Sequence, residues 1–246
     1  LSLKNVETGS GNTAVGREAM LNLTTGAQNT AVGKLAMVSN NGNNNVAIGQ
    51  EALRLHSGSS DNVAVGFESL YVNGGNSNAA VGYQAGYNTT GAANTFLGNE
   101  AGKNVTSASW CIAIGSGALK GGATTGNFNI AIGRTTMTSM TSGSSNNSLG
   151  VDSMSQNSTG SNNVALGASA LRLGTAGSQN TVIGNQAGRN ATSSNNTFIG
   201  FETGYYVTSG ANNTILGRYN GNQDGLDITT SSNNIVLSDG GGNVRL

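Results

Sequence analysis

Asn45-Val46-Ala47-Ile48-Gly49-Gln50-Glu51-Ala52-Leu53 is one statement of a pattern that recurs along the whole chain. An Asn is followed by a small or β-branched residue, a middle residue that is usually Ala, a Val, Ile or Leu, and a Gly. The same frame pairs Asn12 with Gly16, Asn29 with Gly33, Asn62 with Gly66, Asn78 with Gly82 and Asn94 with Gly98. It continues through Gly115, Asn129 with Gly133, Gly150, Asn163 with Gly167, Asn180 with Gly184, Asn196 with Gly200 and Asn213 with Gly217. Successive glycines stand about 17 residues apart, which marks a stacked repeat in place of a globular domain.

Composition agrees with a repeat that relies on little apolar bulk. The chain has 246 residues, of which 39 are Gly and none Pro, with 9% charged and 5% aromatic residues. A chain this polar has the makings of disorder, but disorder gives no reason to place an aliphatic residue before each repeat glycine. Eleven basic and eleven acidic residues balance, so no basic stripe is available for phosphates and nucleic acid is excluded as an expected partner. Cys111 is the single cysteine and His56 the single histidine, too few for a disulfide framework or a zinc ligand set. No apolar run reaches the ~18 residues of a membrane span, and Leu1-Ser2-Leu3-Lys4 lacks a signal-peptide pattern. The chain reads as a segment of something longer.

Residues flanking the middle position are two apart, so in a strand they share a face. Val46 with Ile48, Val63 with Val65, Ile112 with Ile114 and Val164 with Leu166 are therefore expected to point inward. A second short strand is expected at Ala19-Met20, Ala36-Met37, Ala52-Leu53, Ala118-Leu119 and Ala170-Leu171, with polar turns closing the coil. The middle residue would then face outward, yet it is Ala14, Ala31, Ala47, Ala64, Ala80, Phe96, Ala113, Ala131, Ala165, Val182, Phe198 and Ile215. Its volume trades with the position six residues on. Ala14, Ala31, Ala47, Ala64 and Ala131 go with Met20, Met37, Leu53, Leu70 and Met137, whereas Phe96, Val182, Phe198 and Ile215 go with Gly102, Gly188, Gly204 and Gly221. Such an exchange implies a shared close-packed site, within the coil or across a subunit boundary. Ala80 with Gly86 breaks the rule and leaves an underfilled layer. The repeated Asn is expected to form an amide ladder from coil to coil.

The motif Asn45 to Gly49, with relatives such as Asn62-Val63-Ala64-Val65-Gly66 and Asn163-Val164-Ala165-Leu166-Gly167, resembles the head repeats of trimeric autotransporter adhesins. The longer form ending in Ala-Met and a Thr-Thr-Gly or Ser-Gly turn is similar to repeat arrays of phage tail fibres. The resemblance covers about residues 10 to 217, with a coil about two residues longer than the adhesin repeat. It implies an all-β parallel β-roll or β-solenoid of about 13 coils in an intertwined or side-by-side homotrimer. Residues 1–9 read as a lead-in, 10–221 as the repeat and 222–246 as a terminal cap or transition. The function implied is a structural segment of a virion tail fibre in host attachment, or alternatively the head of a bacterial surface adhesin. Either setting is extracellular or on a virion, without membrane insertion.

Residues for chemistry are sparse. Glu18, Glu51, Glu68, Glu100, Asp152 and Glu202 share one coil position, but so do Leu35, Gln84, Gly117 and Ser169, which suits a solvated edge better than the paired acids of a glycan-degrading spike. Asp224, Asp227 and Asp239 match no calcium loop, and no catalytic, cofactor or metal residues are assigned. Thr13, Thr30, Thr95, Thr181, Thr197 and Thr214 are too interrupted for an ice-binding array. Tyr71, Tyr83, Tyr87, Tyr205 and Tyr206 are candidate contacts for a host glycan, with Phe67 and Phe201 beside them.

Overall fold

The computed structural model describes residues 7–39, 41–56 and 58–245. The opening Leu1-Ser2-Leu3-Lys4 lies outside them. The described residues contain strands and turns and no helix, so no helix is long and apolar enough to cross a membrane. The fold is a parallel β-solenoid of about 13 coils, as the period predicts. It divides into two compact units, residues 1–125 and 126–246.

In the first unit the strands Thr13–Val15, Thr30–Val32, Val46–Ile48, Val63–Val65, Ala79–Val81, Thr95–Leu97 and Ile112–Ile114 pair in that order. In the second, Ile130–Ile132, Asn147–Leu149, Val164–Leu166, Thr181–Ile183, Thr197–Ile199, Thr214–Leu216 and Ile235–Leu237 do the same. All these pairs are parallel and in repeat register, Ala47 beside Ala64 for example. The register also carries Phe96 to Ala80 on one side and Ala113 on the other.

Two expectations about the coil are reversed. The middle residue is the one that points inward: Ala47, Ala64, Ala113 and Ala165 are fully buried. Its neighbours point out, with Ile48 at 42% and Leu97 at 48% exposure. The coil is thin, so the middle column faces the opposite wall directly and has room only for a methyl wherever that wall supplies Met or Leu. The expected second strand is also absent at Ala-Met and Ala-Leu, which lie in turns. Leu55–His56, Val72–Asn73 and Asn88–Thr89 form a small parallel sheet just beyond them.

Those turns depend on left-handed backbone. In the coil of Asn62, Asp61 (φ 63°), Gly66 (134°), Glu68 (51°) and Leu70 (47°) all have positive φ, and their equivalents recur in neighbouring coils. Each non-Gly residue so placed costs on the order of 1 kcal/mol or more. Inter-coil hydrogen bonds offset this, because Glu68 N donates to Gln50 O (3.0 Å) and Leu70 N to Ala85 O (2.9 Å). Reversing direction while still pairing on both sides is what alternating handedness provides here. Gly66 is fixed twice over, since a Cβ there would lie 2.4 Å from the Gly82 carbonyl oxygen. In the second unit an antiparallel hairpin of Asn222–Gln223 with Leu226–Asp227 interrupts the last coil. Its turn residues Asp224 and Gly225 both have positive φ, as a tight two-residue hairpin turn requires.

Candidate functional site

The repeat asparagines are bonded to one another and, apart from the part-buried Asn12 and Asn234, buried. Asn45 Oδ1 accepts both the backbone N–H of Asn62 (2.9 Å) and its Nδ2 (3.1 Å), while Asn45 Nδ2 donates to the Ser59 carbonyl (3.0 Å). The Oδ1-to-backbone bond repeats from Asn12 to Asn29, Asn29 to Asn45, Asn62 to Asn78 and Asn78 to Asn94. Cys111 stands next in the column; its N–H donates to Asn94 Oδ1 at 2.8 Å. In the second unit the ladder runs through Asn129, Asn146, Asn163, Asn180, Asn196, Asn213 and Asn234. Asn146 is missed by the sequence pattern because Asn147 stands where other units hold Thr, Ala, Val or Ile, and Ser148 where they hold an apolar middle residue. Ser148 is nonetheless the buried middle residue, its hydroxyl 2.7 Å from that of Ser153.

The volume exchange lies within the chain. A Cβ at Gly102 would sit 2.3 Å from the Phe96 ring, and one at Gly86 would sit 2.7 Å from the same ring and 2.8 Å from Leu70. Phe96 therefore fills its own coil and the Ala80 coil below, which removes the apparent underfilled layer. Phe198 does the same for Gly188 and Gly204, each 2.9 Å from it in the same sense. A third inward column, holding Leu23, Val105, Met140 and Val207, is also fully buried. It falls in the stretch the sequence presents as polar turn, where its irregular occupants hide the periodicity. His56 belongs to the strand Leu55–His56 and pairs with Asn73; its side chain lies outside the described part.

The tyrosines form two clusters. In the first unit Tyr71 and Tyr87 stack at 4.9 Å and 4°, and Phe67 stacks on Tyr83 at 5.5 Å and 7°. Arg54 lies 5.7 Å over the Tyr71 ring, and its Nη1 donates to the Tyr71 hydroxyl (3.1 Å) and to Glu51 (2.8 Å). Burial, reinforced by the Glu68 charge, raises the Tyr87 phenol above its ordinary pKa of 10.0. In the second unit Tyr205 and Tyr206 meet edge to face at 4.9 Å and 78°. Arg189 lies 5.5 Å over Tyr205 and donates to its hydroxyl at 3.1 Å; Arg218 lies 4.9 Å over Phe201. Gln186, Glu202, Tyr205, Tyr206 and Asn220 line an open depression of about 190 Å³.

Each acid of the shared column has a hydrogen-bond partner. Glu18 pairs with Arg17, Glu51 with Arg54, and Glu202 with Arg218 at 3.3 Å; Glu68 accepts from Gln84 at 2.6 Å and Asp152 from the Thr135 hydroxyl. Glu100 sits between Lys103 and Lys120, whose hydrogen bonds hold its carboxyl below the ordinary 4.5. Asp239 is held well below the usual carboxylate range by Asn243 and Arg245, while Asp227 accepts the Thr229 N–H and Asp224 that of Val244. Among the described residues no group of three or more His, Cys, Asp or Glu is placed to hold a metal ion.

Among the described residues the outward face of the strands carries a column of exposed aliphatic side chains. Val15, Val32, Ile48, Val81 and Leu97 in the first unit, and Leu149, Leu166, Ile199, Leu216 and Leu237 in the second, are all exposed at the same coil position. Compared with family models, curated proteins and solved structures, the chain has no significant match.

Proposed function

We propose that this chain is a structural, non-enzymatic segment of a homotrimeric surface fibre that spaces and presents attachment elements to a host, on a virion tail fibre in the first instance. The exposed aliphatic column carries the reading. An apolar stripe of this kind on a protein surface marks a contact that excludes water. Its period is that of the coil, so the surface that matches it at every step is another copy of the same repeat. The coil-to-coil ladder and the partnered acids favour a load-bearing role over turnover. The resemblance of Asn45 to Gly49 and its relatives to trimeric adhesin and tail-fibre repeats supplies the number three and the extracellular setting. Light scattering after size-exclusion chromatography in native buffer is expected to give three times the chain mass. A stable monomer would sink the proposal. The second reading, a bacterial adhesin head, shares this geometry and is favoured by the Asn–Val–Ala–Ile–Gly motif itself; a membrane-anchoring barrel in the flanking sequence would select it.

A further inference from the structure

We infer that the depression formed by Gln186, Glu202, Tyr205, Tyr206 and Asn220 binds a single pyranose ring of a neutral glycan, a step that rests on the attachment reading for its biological source and on geometry for its chemistry. Consecutive coils build the site, so every lining residue is anchored by inter-coil bonding. Tyr205 is pinned: Arg189 covers one face of its ring and bonds its hydroxyl at 3.1 Å, and Asn190 Nδ2 donates to its carbonyl at 2.8 Å. Tyr206 stands edge-on to it at 78° and is 51% exposed, leaving an aromatic surface bare at the rim of the depression.

Aromatic carbon beside a carboxylate and two amides is the complement of a sugar ring. A pyranose has a C–H face that packs on an aromatic ring and hydroxyls that both donate and accept. Glu202 has about four lone-pair sites, and Arg218 engages it through one oxygen, Oε2, at 3.3 Å. Gln186 offers a donor and an acceptor, and Asn220 offers its Nδ2 donor, its Oδ1 already accepting the Asn222 N–H at 3.0 Å. At about 190 Å³ the depression is smaller than the ~300–1,000 Å³ clefts of drug-sized ligands, which suits one ring and not an oligosaccharide groove. Neutral sugar is preferred because the nearby cations Arg189 and Arg218 already serve Tyr205 and Glu202.

The first unit repeats part of this arrangement with its rings stacked in pairs. Phe67-Glu68-Ser69-Leu70-Tyr71 occupies the coil positions of Phe201-Glu202-Thr203-Gly204-Tyr205, and Arg54 covers Tyr71 as Arg189 covers Tyr205. There the next coil lays Tyr83 on Phe67 and Tyr87 on Tyr71, leaving Tyr71 and Tyr87 half-buried while Tyr83 keeps 47% of its surface exposed. In the second unit the next coil brings Arg218 and Asn220, and the corner stays open.

Saturation-transfer NMR on the intact protein, with methyl glucoside, methyl galactoside, methyl mannoside and N-acetylglucosamine as probes, tests the inference. Transfer to the ring C–H protons of at least one probe is expected. Tyr206→Ala should abolish it, Glu202→Gln should weaken binding about tenfold, and Trp110→Ala, at an exposed aromatic outside both tyrosine clusters, should leave it unchanged. No transfer from any probe, or equal transfer with Tyr206→Ala, would overturn the site. Light scattering on the same samples separates the two ideas: an intact trimer without sugar contact defeats the site alone, and sugar contact by a monomer defeats the fibre reading alone.

Discussion

At the scale of the residue, the repeat Asn is selected by arithmetic of donors and acceptors. Its side chain must accept from the next coil's backbone and donate both to the previous Asn and to a turn carbonyl, all while buried. Asp offers acceptors only, and Ser is too short to reach both neighbours. Asn62→Asp would turn a carboxylate oxygen toward Asn45 Oδ1 and the Ser60 carbonyl, where Nδ2 now donates. Loss of a buried donor costs about 1–3 kcal/mol. The urea midpoint of the variant is expected to fall accordingly, with an unchanged slope; a midpoint equal to that of the parent would show that the ladder contributes nothing to stability. This much was legible in the sequence, because an amide held at one position through coil after coil points to bonding that only an amide completes. Asn146 was not legible, since its unit is disguised by Asn147 and Ser148.

At the scale of the element, the sequence displayed the period and the volume exchange but misassigned the faces. Alternation identifies two sides of a strand without saying which is wet, and aliphatic flanks around Ala invite the wrong choice. The exchange itself contained the correction: a position that must shrink when its partner grows is interior. Phe96 makes the point quantitatively. Phe96→Ala should cost about 3–5 kcal/mol, the usual range for a buried Phe. Adding Gly102→Leu to it refills half the void, and adding Gly86→Leu as well refills the rest, reproducing the Ala64 with Leu70 pairing in successive coils. Both glycines have φ near 60°, a conformation that Leu70 and Leu53 already adopt in the same column. Thermal denaturation is expected to rank the triple variant above the double and the double above Phe96→Ala. Gly102→Leu alone, against an intact Phe96, should be the least tolerated leucine substitution. A ranking in which the added leucines fail to recover stability would show that the exchange reflects something other than shared volume.

At the scale of the whole molecule, the sequence displayed the apolar column but assigned it to the interior, and of the aromatic corner it singled out Tyr205 and Tyr206, while Gln186, Glu202 and Asn220 were joined to them only by the stacking of coils. If copies of the chain cover the column, lysines there should matter to assembly and hardly to folding. Ile48→Lys with Leu97→Lys is expected to reduce the mass seen by light scattering to that of one chain, with the far-ultraviolet circular dichroism retained, because solvent-facing substitutions shift stability by only about 0.5 kcal/mol. A trimer that survives both lysines would place its contacts elsewhere. One further consequence lies at the last strand. In the preceding coils of the second unit the carbonyl before the repeat glycine position receives an N–H from the coil that follows, as Ile199 does from Gly217, but the Leu237 carbonyl receives Arg245 N–H from the chain's own return, beside the antiparallel bridge of Ser238 with Val244. A stack of identical layers is a one-dimensional crystal, and any strand edge left without a following layer offers unpaired groups to a foreign strand. The Asp239 to Arg245 return fills one bonding position on the outer edge of that strand with the chain's own N–H, so the position is closed to a strand from another molecule.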